Sequence, residues 1–334
     1  MVEDSTASAS IELLAALLPE FVRSDADAMA ILEAAAALGV DPIDYCLCRY
    51  HLGAEIIMAR AASWMELYFS PVVPAAGAVP IITGDPEILS LLRSTHVLIQ
   101  GQDIMFFAPL FHEMLYLKRR LAGHPELRRK LAIAPTAAVR TALARSNSRG
   151  LLHYARHGLA ARWPGANALN GPSALGRGIF VAIALLLLIL AFGASYLPEL
   201  LFLPIIGVII LVPAAFRIGA LVSAKMAKEE PAPAALSDAE LPIYSVLIPL
   251  RDEAHMVPLL YRAMSALSYP PEKLEITFVV EARSEGTVAA VRELLGDPRF
   301  GLIEVPDAPP YTKPKALDYA LSLIRGEYVV VYDA

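Results

Sequence analysis

The sequence predicts a multidomain membrane protein with a helical N-terminal module, a two-helix transmembrane hairpin and a C-terminal α/β domain built on a parallel sheet. Three observations predict this fold class. Apolar residues make up 56% of the 334 residues and charged residues only 19%, which is more apolar than an average soluble protein. Two long uncharged runs follow each other in the middle of the chain. Strand-like and helix-like segments alternate after them.

The charge of the chain is unevenly distributed. Residues 1–116 contain 4 Lys or Arg against 15 Asp or Glu, whereas residues 117–178 contain 12 against 1. An acidic module therefore precedes a basic stretch that leads into the most apolar part of the chain. Cys46 and Cys48 are two positions apart and cannot easily bridge each other, so no disulfide framework is expected and a reducing compartment is favoured.

The first predicted module covers residues 1–116 and is mainly helical. Its segment "LGVDPIDYCLCRYHLGAEIIMARAASWMELYF" alternates helix-like stretches with Leu-Gly breaks and ends on aromatic residues. In this cadence the module weakly resembles the N-terminal module of type II secretion ATPases. The alternative interpretation is a small helical packing module without a ligand.

Residues 117–178 form the predicted basic juxtamembrane helices. Arginines and apolar residues recur there at helical spacing, which favours helices that lie on the anionic inner leaflet with their apolar face towards lipid. A solvated helical linker is the alternative. Nucleic-acid binding is disfavoured because the stretch runs directly into an apolar segment. His153 and His157 have helical spacing for a metal, but no third ligand is near them in sequence.

Two apolar runs predict transmembrane helices over residues 179–197 and 200–221. Each is close to the ~20 residues that cross a bilayer, and only Pro198 and Glu199 connect them. A pair of buried core helices is the alternative. Lys and Arg flank both runs on their outer sides and are missing from the connector, so the positive-inside rule predicts a multi-pass protein of the inner (cytoplasmic) membrane with both termini in the cytoplasm.

Residues 225–242 are rich in Pro, Ala and charge and predict a linker, and a new domain covers residues 243–334. Its pattern alternates strands and helices, as in a parallel sheet with right-handed crossovers. The predicted strands are "YSVLIPL", "LEITFVVE", "GLIEV" and "EYVVVYDA". Ser284 and Thr312 are the predicted N-caps of the second and third helices.

Charged residues collect where these strands end, which is where open parallel sheets bind ligands. Lysines in a first helical turn are unfavourable there unless an anion is bound. Acids and lysines together suit a diphosphate with a divalent metal. Neither a dinucleotide-binding G-x-G-x-x-G nor a P-loop is present in the sequence. The charged residues at these strand ends are Arg251, Asp252, Glu253, Glu281, Lys313, Lys315 and Asp333.

The segment from Pro242 to Ala334 resembles the first half of a family 2 glycosyltransferase domain of the Rossmann-like GT-A fold, in particular the membrane-bound polysaccharide synthase-like members. The motifs that carry the resemblance are "IPLRDE", "VVEARS", "TKPKALD" and "YVVVYDA". The resemblance implies that the donor nucleotide is bound by Pro249, Leu250, Glu253, Glu281 and Lys313, and that Asp333 binds the metal.

The resemblance implies a membrane-bound inverting glycosyltransferase, a hexosyltransferase in type. The donor would be a nucleotide-diphosphate sugar, such as a UDP-sugar, the acceptor a polysaccharide or a lipid-linked sugar, and the cofactor Mn²⁺ or Mg²⁺. The second metal acid, the catalytic base and further spans of the family would follow residue 334. The chain is therefore expected to be a fragment that holds no catalytic residue and is inactive alone. The alternative is a membrane-anchored regulatory or scaffold protein with a vestigial transferase domain.

Overall fold

The computed structural model describes residues 2–80, 86–165, 171–193, 202–226 and 236–333. The chain divides into two compact units. One combines Met1–Gly158 with Leu236–Ala334, and the other is Leu159–Ala235. The N-terminal module and the C-terminal α/β domain therefore share one unit, although nearly 80 residues of sequence separate them.

The N-terminal module begins with four helices around an apolar core. Ser24 caps the second helix in a capping box with Asp27, and Gly39 ends that helix with φ +68°, a conformation in which glycine avoids the Cβ penalty. Leu13, Leu14 and Ile57 are fully buried in the core. The helices are α1 (Val2–Leu17), α2 (Asp25–Leu38), α3 (Pro42–Tyr50) and α4 (Ala54–Met65).

A four-stranded sheet completes this module, with strand order β1-β4-β3-β2. The strands β2 and β3 pair in antiparallel fashion, and the pairs β1–β4 and β3–β4 are parallel. The helix α5 (Phe111–Gly123) spans the predicted boundary at residue 116, and β4 comes from the predicted juxtamembrane stretch. That stretch therefore belongs in part to the folded module. The strands are β1 (Tyr68–Phe69), β2 (Ser94–Ile99), β3 (Gln102–Phe107) and β4 (Leu131–Ile133).

Two helices follow, α6 (Thr136–Ser146) and α7 (Ser148–Arg162). The prediction that the apolar face of this stretch lies on lipid is wrong for α6. Val139 and Leu143 are instead buried in one hydrophobic cluster with residues of the C-terminal domain. The reason for the error is physical, because apolar residues at helical spacing look the same in sequence whether lipid or protein covers them.

The second unit contains two apolar helices, α8 (Ala174–Gly193) and α9 (Phe202–Met226). Their apolar stretches have mean hydropathies of 2.6 and 2.0 and are not buried by the rest of the protein, and both helices are long and apolar enough to cross a membrane. The first begins five residues before the predicted span. The predicted connector, Pro198 and Glu199, and residues 227–235 of the predicted linker lie outside the described residues.

The C-terminal domain is built on a second four-stranded sheet, in which every strand is parallel and the order is β7-β6-β5-β8. The predicted bounds of the first two strands are confirmed. The last strand is shorter than predicted and ends at Val331. The strands are β5 (Tyr244–Leu250), β6 (Leu274–Glu281), β7 (Phe300–Val305) and β8 (Tyr328–Val331).

Both faces of the central strands β5 and β6 are covered, which explains their continuous apolar runs, whereas the edge strand β8 is largely exposed. Helices α10 (Val257–Ser265) and α11 (Glu285–Arg292) pack on one face. Helix α12 (Lys313–Leu321) and the N-terminal helix α6 share a hydrophobic cluster with the other face. Since β5 lies between β6 and β8, the carboxyl ends of these three strands are neighbours.

Candidate functional site

The candidate site lies at the carboxyl edge of the second sheet. Glu281 is the last residue of β6, Glu253 follows β5, and Asp333 follows β8. The strands are in register there, with Leu250 opposite Val280. The sheet therefore brings the predicted acids to one edge, as the strand pattern predicts.

The most buried charges of the site are Glu281 and Lys315. Lys315 Nζ donates a hydrogen bond to Glu281 Oε1 at 3.0 Å and another to the Ala308 carbonyl at 2.7 Å. The side chains are only 6% and 2% exposed. A carboxylate this deeply buried is expected only with a partner, which Lys315 provides.

The second oxygen of Glu281 has no hydrogen-bond donor in the part of the chain that the structure describes. Arg283 Nε lies 3.4 Å from it, close enough for an ion pair but not in hydrogen-bond geometry. Most buried polar atoms in folded proteins have partners, and an unpartnered acceptor costs free energy. This oxygen can therefore accept a hydrogen bond from the N–H or O–H group of a ligand.

A flat cationic and aromatic surface lies beside Glu281. The Arg283 guanidinium stacks over the Tyr311 ring at 4.0 Å from its centroid, and Lys315 Nζ is 5.5 Å from the same centroid. Arg251 donates to the Tyr311 carbonyl at 3.2 Å and holds this segment against the β5 end. Stacked guanidinium and aromatic planes are suited to a planar heterocycle.

The turn after β5 contributes further polar groups to the candidate site. Asp252 has φ +57°, a left-handed conformation that Asp tolerates better than most residues, and its Oδ1 accepts a hydrogen bond from Ser284 Oγ at 2.8 Å. The Glu253 amide donates to Thr287 Oγ1 at 3.1 Å, while Glu253 Oε2 is buried without a donor among the described residues. Between this turn and α11 is a cleft of about 390 Å³ lined by Asp252, Ala254, Arg283, Ser284, Glu285, Gly286 and Thr287.

The outermost pair of the site is Lys313 and Asp333. Lys313 Nζ donates to Asp333 Oδ1, and both side chains are largely exposed. The hydrogen bond to Asp333 raises the pKa of Lys313, and the negative charges of Asp333 and Glu253 add to this effect against a small desolvation cost. Lys313 and Asp333 thus lie together with Glu253 at the edge where an anion is predicted.

The residues around Asp333 show which ligands the predicted metal would have. Among the described residues, no three His, Cys, Asp or Glu side chains are grouped closely enough to hold a metal ion. Asp333 offers one exposed carboxylate that Lys313 already contacts. Hard divalent cations commonly take a few protein oxygens together with phosphate oxygens, so Asp333 fits the role of a single ligand and not of a complete site.

Two predicted donor-binding residues are placed differently from the others. The side chain of Leu250 is buried in the hydrophobic cluster under α10 and α11, and Pro249 is buried within β5 opposite Val279. Neither side chain is placed to contact a ligand. Any contact of these two residues with a donor would therefore come from their backbone groups, and their role in binding stays a prediction.

Sequence reasoning chose Lys313 as the donor-binding lysine, whereas the structure pairs Lys315 with the buried acid. The position of Lys315 in the sequence indicates that it lies on the side of α12 that faces the sheet. Lys315 is four residues before Tyr319 and adjacent to Ala316, and both of these are buried under the sheet. Arg283 and Tyr311 were also not selected, since nothing in a loop sequence shows that two loops will stack on each other.

Comparisons of the chain with models of protein families, with curated proteins and with solved structures found no significant match.

Proposed function

We propose that the protein is a membrane-bound inverting glycosyltransferase that transfers a hexose from a nucleotide-diphosphate donor to a polysaccharide or lipid-linked acceptor. The observation that carries the proposal is the buried Glu281 Oε2, which receives no hydrogen bond from the described residues, beside the stacked Arg283 and Tyr311. These groups lie at the carboxyl edge of a parallel sheet, where such folds bind nucleotides. The likeness of the sequence motifs to family 2 glycosyltransferases supports the same function.

The nucleoside is proposed to bind against Glu281. The imide N–H of uracil, or a ribose hydroxyl, supplies the hydrogen-bond donor that Glu281 Oε2 lacks. The stacked plane of Arg283 and Tyr311 gives the base an apolar and cationic face. A UDP-sugar is therefore the donor that we expect.

The diphosphate is proposed to lie near Lys313 and Asp333. The Lys313 ammonium at the start of α12 has three N–H donors, so it can bind phosphate oxygens while it remains in contact with Asp333. A divalent cation, Mn²⁺ or Mg²⁺, held by Asp333 and the diphosphate would supply charge neutralisation for the leaving group. In the transfer itself the acceptor oxygen bonds to the anomeric carbon, the bond to the diphosphate breaks with its electron pair, and the acceptor proton passes to a base.

The membrane is the proposed setting of the reaction. Helices α8 and α9 are long, apolar and exposed, and basic residues flank them on their outer sides. By the positive-inside rule, the donor site would lie in the cytoplasm, where nucleotide sugars are made, and both termini would lie on that side.

The test is calorimetric titration of the full chain in detergent with UDP and UDP-hexoses, with and without Mn²⁺. We expect saturable binding that Mn²⁺ strengthens. Glu281→Gln should weaken the binding because the amide no longer presents the same acceptor, and Lys313→Ala should weaken it by removing a phosphate contact. Arg292→Ala removes an exposed ion pair with Glu304 in the same domain and serves as the matched control. Equal affinity in all four proteins would refute the proposed site.

The alternative function is a membrane-anchored regulatory or scaffold protein. It is favoured by one observation, that Glu281 and Asp333 are both already paired with lysines of α12 without any ligand. In that case the chain binds no UDP-sugar at millimolar concentration, and the same titration separates the two functions.

A further inference from the structure

Two ion pairs join the N-terminal module to the amino end of the second sheet. The cation lies on the module in one pair and beside the sheet in the other. Arg140 of α6 contacts Glu275, the second residue of β6. In return, Arg325, just before β8, donates to Asp44 of α3 at 2.8 Å. All four side chains are less than a third exposed. Each side of the interface therefore provides one cation and one anion.

The carboxylate of Glu275 also holds three strands together at their starts. Its Oε2 accepts hydrogen bonds from Ser245 Oγ at 2.7 Å and from the Arg325 amide at 3.0 Å. Ser245 Oγ accepts in turn from the Gly326 amide at 2.9 Å. The amino ends of β5 and β6 and the segment that enters β8 thus depend on one buried acid.

The environment keeps this acid ionised. Burial acts to raise the pKa of Glu275, but the charges of Arg140 and Arg325, with the hydrogen bonds from the Arg325 amide and Ser245, outweigh burial and hold the pKa below its usual range. In contrast to Glu281, neither oxygen of Glu275 is left without a donor.

Two elements connect this interface with the candidate site. Strand β6 carries Glu275 at its start and Glu281 at its end, about 20 Å away at the rise of an extended strand. Helix α12 carries Lys315 and, one turn later, Tyr319, which is buried and donates its hydroxyl to the Ala144 carbonyl of α6 at 3.2 Å. The partners of the buried pair Glu281–Lys315 therefore each lie on an element that the N-terminal module contacts.

We infer that the N-terminal module is a positioning element of the nucleotide site, and that Glu275 is the positioning residue through which it acts. The inference rests on the proposed function only for the identity of the ligand. Glu275 fixes the start of β6, and the module fixes the second turn of α12. Together they set the distance between Glu281 and Lys315, and thereby the direction of the oxygen that would receive the nucleoside.

The experiment uses the full chain in detergent and two measurements. The first is UDP affinity in the presence of Mn²⁺, and the second is amide hydrogen exchange of residues 311–317 without any ligand. Glu275→Gln keeps the shape but removes the charge, and it should weaken UDP binding by about 2- to 30-fold, the range typical of coupling through a packed network. It should also raise exchange in residues 311–317. Arg140→Lys in the otherwise unaltered chain keeps the cation and should retain most of both properties.

Arg292→Ala breaks an exposed ion pair of similar geometry and should change neither measurement. A folded Glu275→Gln protein with unaltered affinity and exchange overturns the inference. Should Glu275→Gln fail to fold, Tyr319→Phe decides, because it removes only the hydroxyl contact with Ala144 and is expected to raise exchange in the same residues.

Failure of the proposed function gives a different result. If the unaltered chain binds no UDP, the proposed ligand is wrong, and exchange alone judges the inference. Raised exchange at residues 311–317 in Glu275→Gln then supports coupling between module and site, and unchanged exchange rejects it.

Discussion

Strand β6 carries two buried glutamates six residues apart, and they have opposite environments. Both oxygens of Glu275 have donors from two elements and from the N-terminal module. Glu281 has Lys315 on one oxygen and no donor on the other among the described residues. The same residue type on the same strand is thus fully hydrogen-bonded at the amino end of the sheet and keeps an oxygen without a described donor at the carboxyl end, where we propose that the ligand binds. Both glutamates are buried, so burial does not distinguish the structural Glu275 from the proposed ligand-binding Glu281. The incomplete hydrogen bonding of Glu281 does distinguish them.

The largest expected effect follows from breaking the ion pair between Arg140 and Glu275 at the amino end of the second sheet. Arg140→Met leaves Glu275 buried with one cation removed, and we expect a loss of about 3 kcal/mol in the free energy of unfolding, the lower end of the range for a broken buried pair because Ser245 and the Arg325 amide remain. Denaturant titration of the full chain in detergent measures the loss. Arg292→Met, which breaks the more exposed pair with Glu304, should cost less than about 1 kcal/mol. Equal losses in both variants would contradict the special role of Glu275.

A double substitution of Glu281 and Lys315 at the carboxyl edge of the second sheet should separate an effect on UDP binding from an effect on the free energy of unfolding. Replacing a buried ion pair with apolar residues is often neutral or stabilising, so Glu281→Leu combined with Lys315→Met should leave the free energy of unfolding within about 1 kcal/mol of the original. Glu281→Leu alone leaves the Lys315 ammonium buried without its carboxylate partner. This variant should have a clearly lower free energy of unfolding. UDP binding should be lost in both. A double variant that still binds UDP with full affinity would show that the open oxygen is not the nucleotide contact.

Substitution of Gly326 should have a smaller effect and tests the packing between the starts of β5 and β8. A Cβ at this position would lie 2.4 Å from the Ser245 amide nitrogen and 2.6 Å from its hydroxyl oxygen. Because the neighbouring atom is backbone, the strands must shift, and Gly326→Ala should cost about 1–3 kcal/mol. Gly286→Ala, where a Cβ meets nothing within 4 Å, is the matched control for thermal unfolding. A harmless Gly326→Ala would mean that the starts of β5 and β8 separate easily.

The smallest effect is the pH dependence that Glu275 contributes. Its pKa is lowered in the folded protein, with burial opposing Arg140, Arg325 and the two hydrogen bonds. The stabilisation is therefore complete above the ordinary glutamate pKa and is lost as pH falls through the lowered value. The difference in unfolding midpoint between the original chain and Glu275→Gln should be constant near neutral pH and shrink below about pH 4. A difference that persists unchanged at low pH would contradict an ionised Glu275.

The sequence predicted the frame of the C-terminal domain well, because its signals are local. Continuous apolar runs predicted β5 and β6 at the observed bounds, and the position of Glu281 at a strand end followed from them. Contacts between distant segments were not predictable in this way. The apolar face of α6 could be covered by lipid or by protein, and only the fold shows Val139 and Leu143 buried in a hydrophobic cluster that includes residues of both sheets. Likewise, the choice between Lys313 and Lys315 depends on which side of α12 meets the sheet.

The two ion pairs of the interface impose an order on the making of the protein. Arg140 meets a partner 135 residues later in the chain, and Asp44 one that is 281 residues later. On a ribosome the contacts of α6 and α3 with the second sheet can therefore form only after α8, α9 and most of the last domain have been synthesised. Such distant pairings are formed slowly and expose sticky surface in the meantime. The interface of the N-terminal module is thus completed late in synthesis, and slowly translated chains should be the ones that chaperones bind.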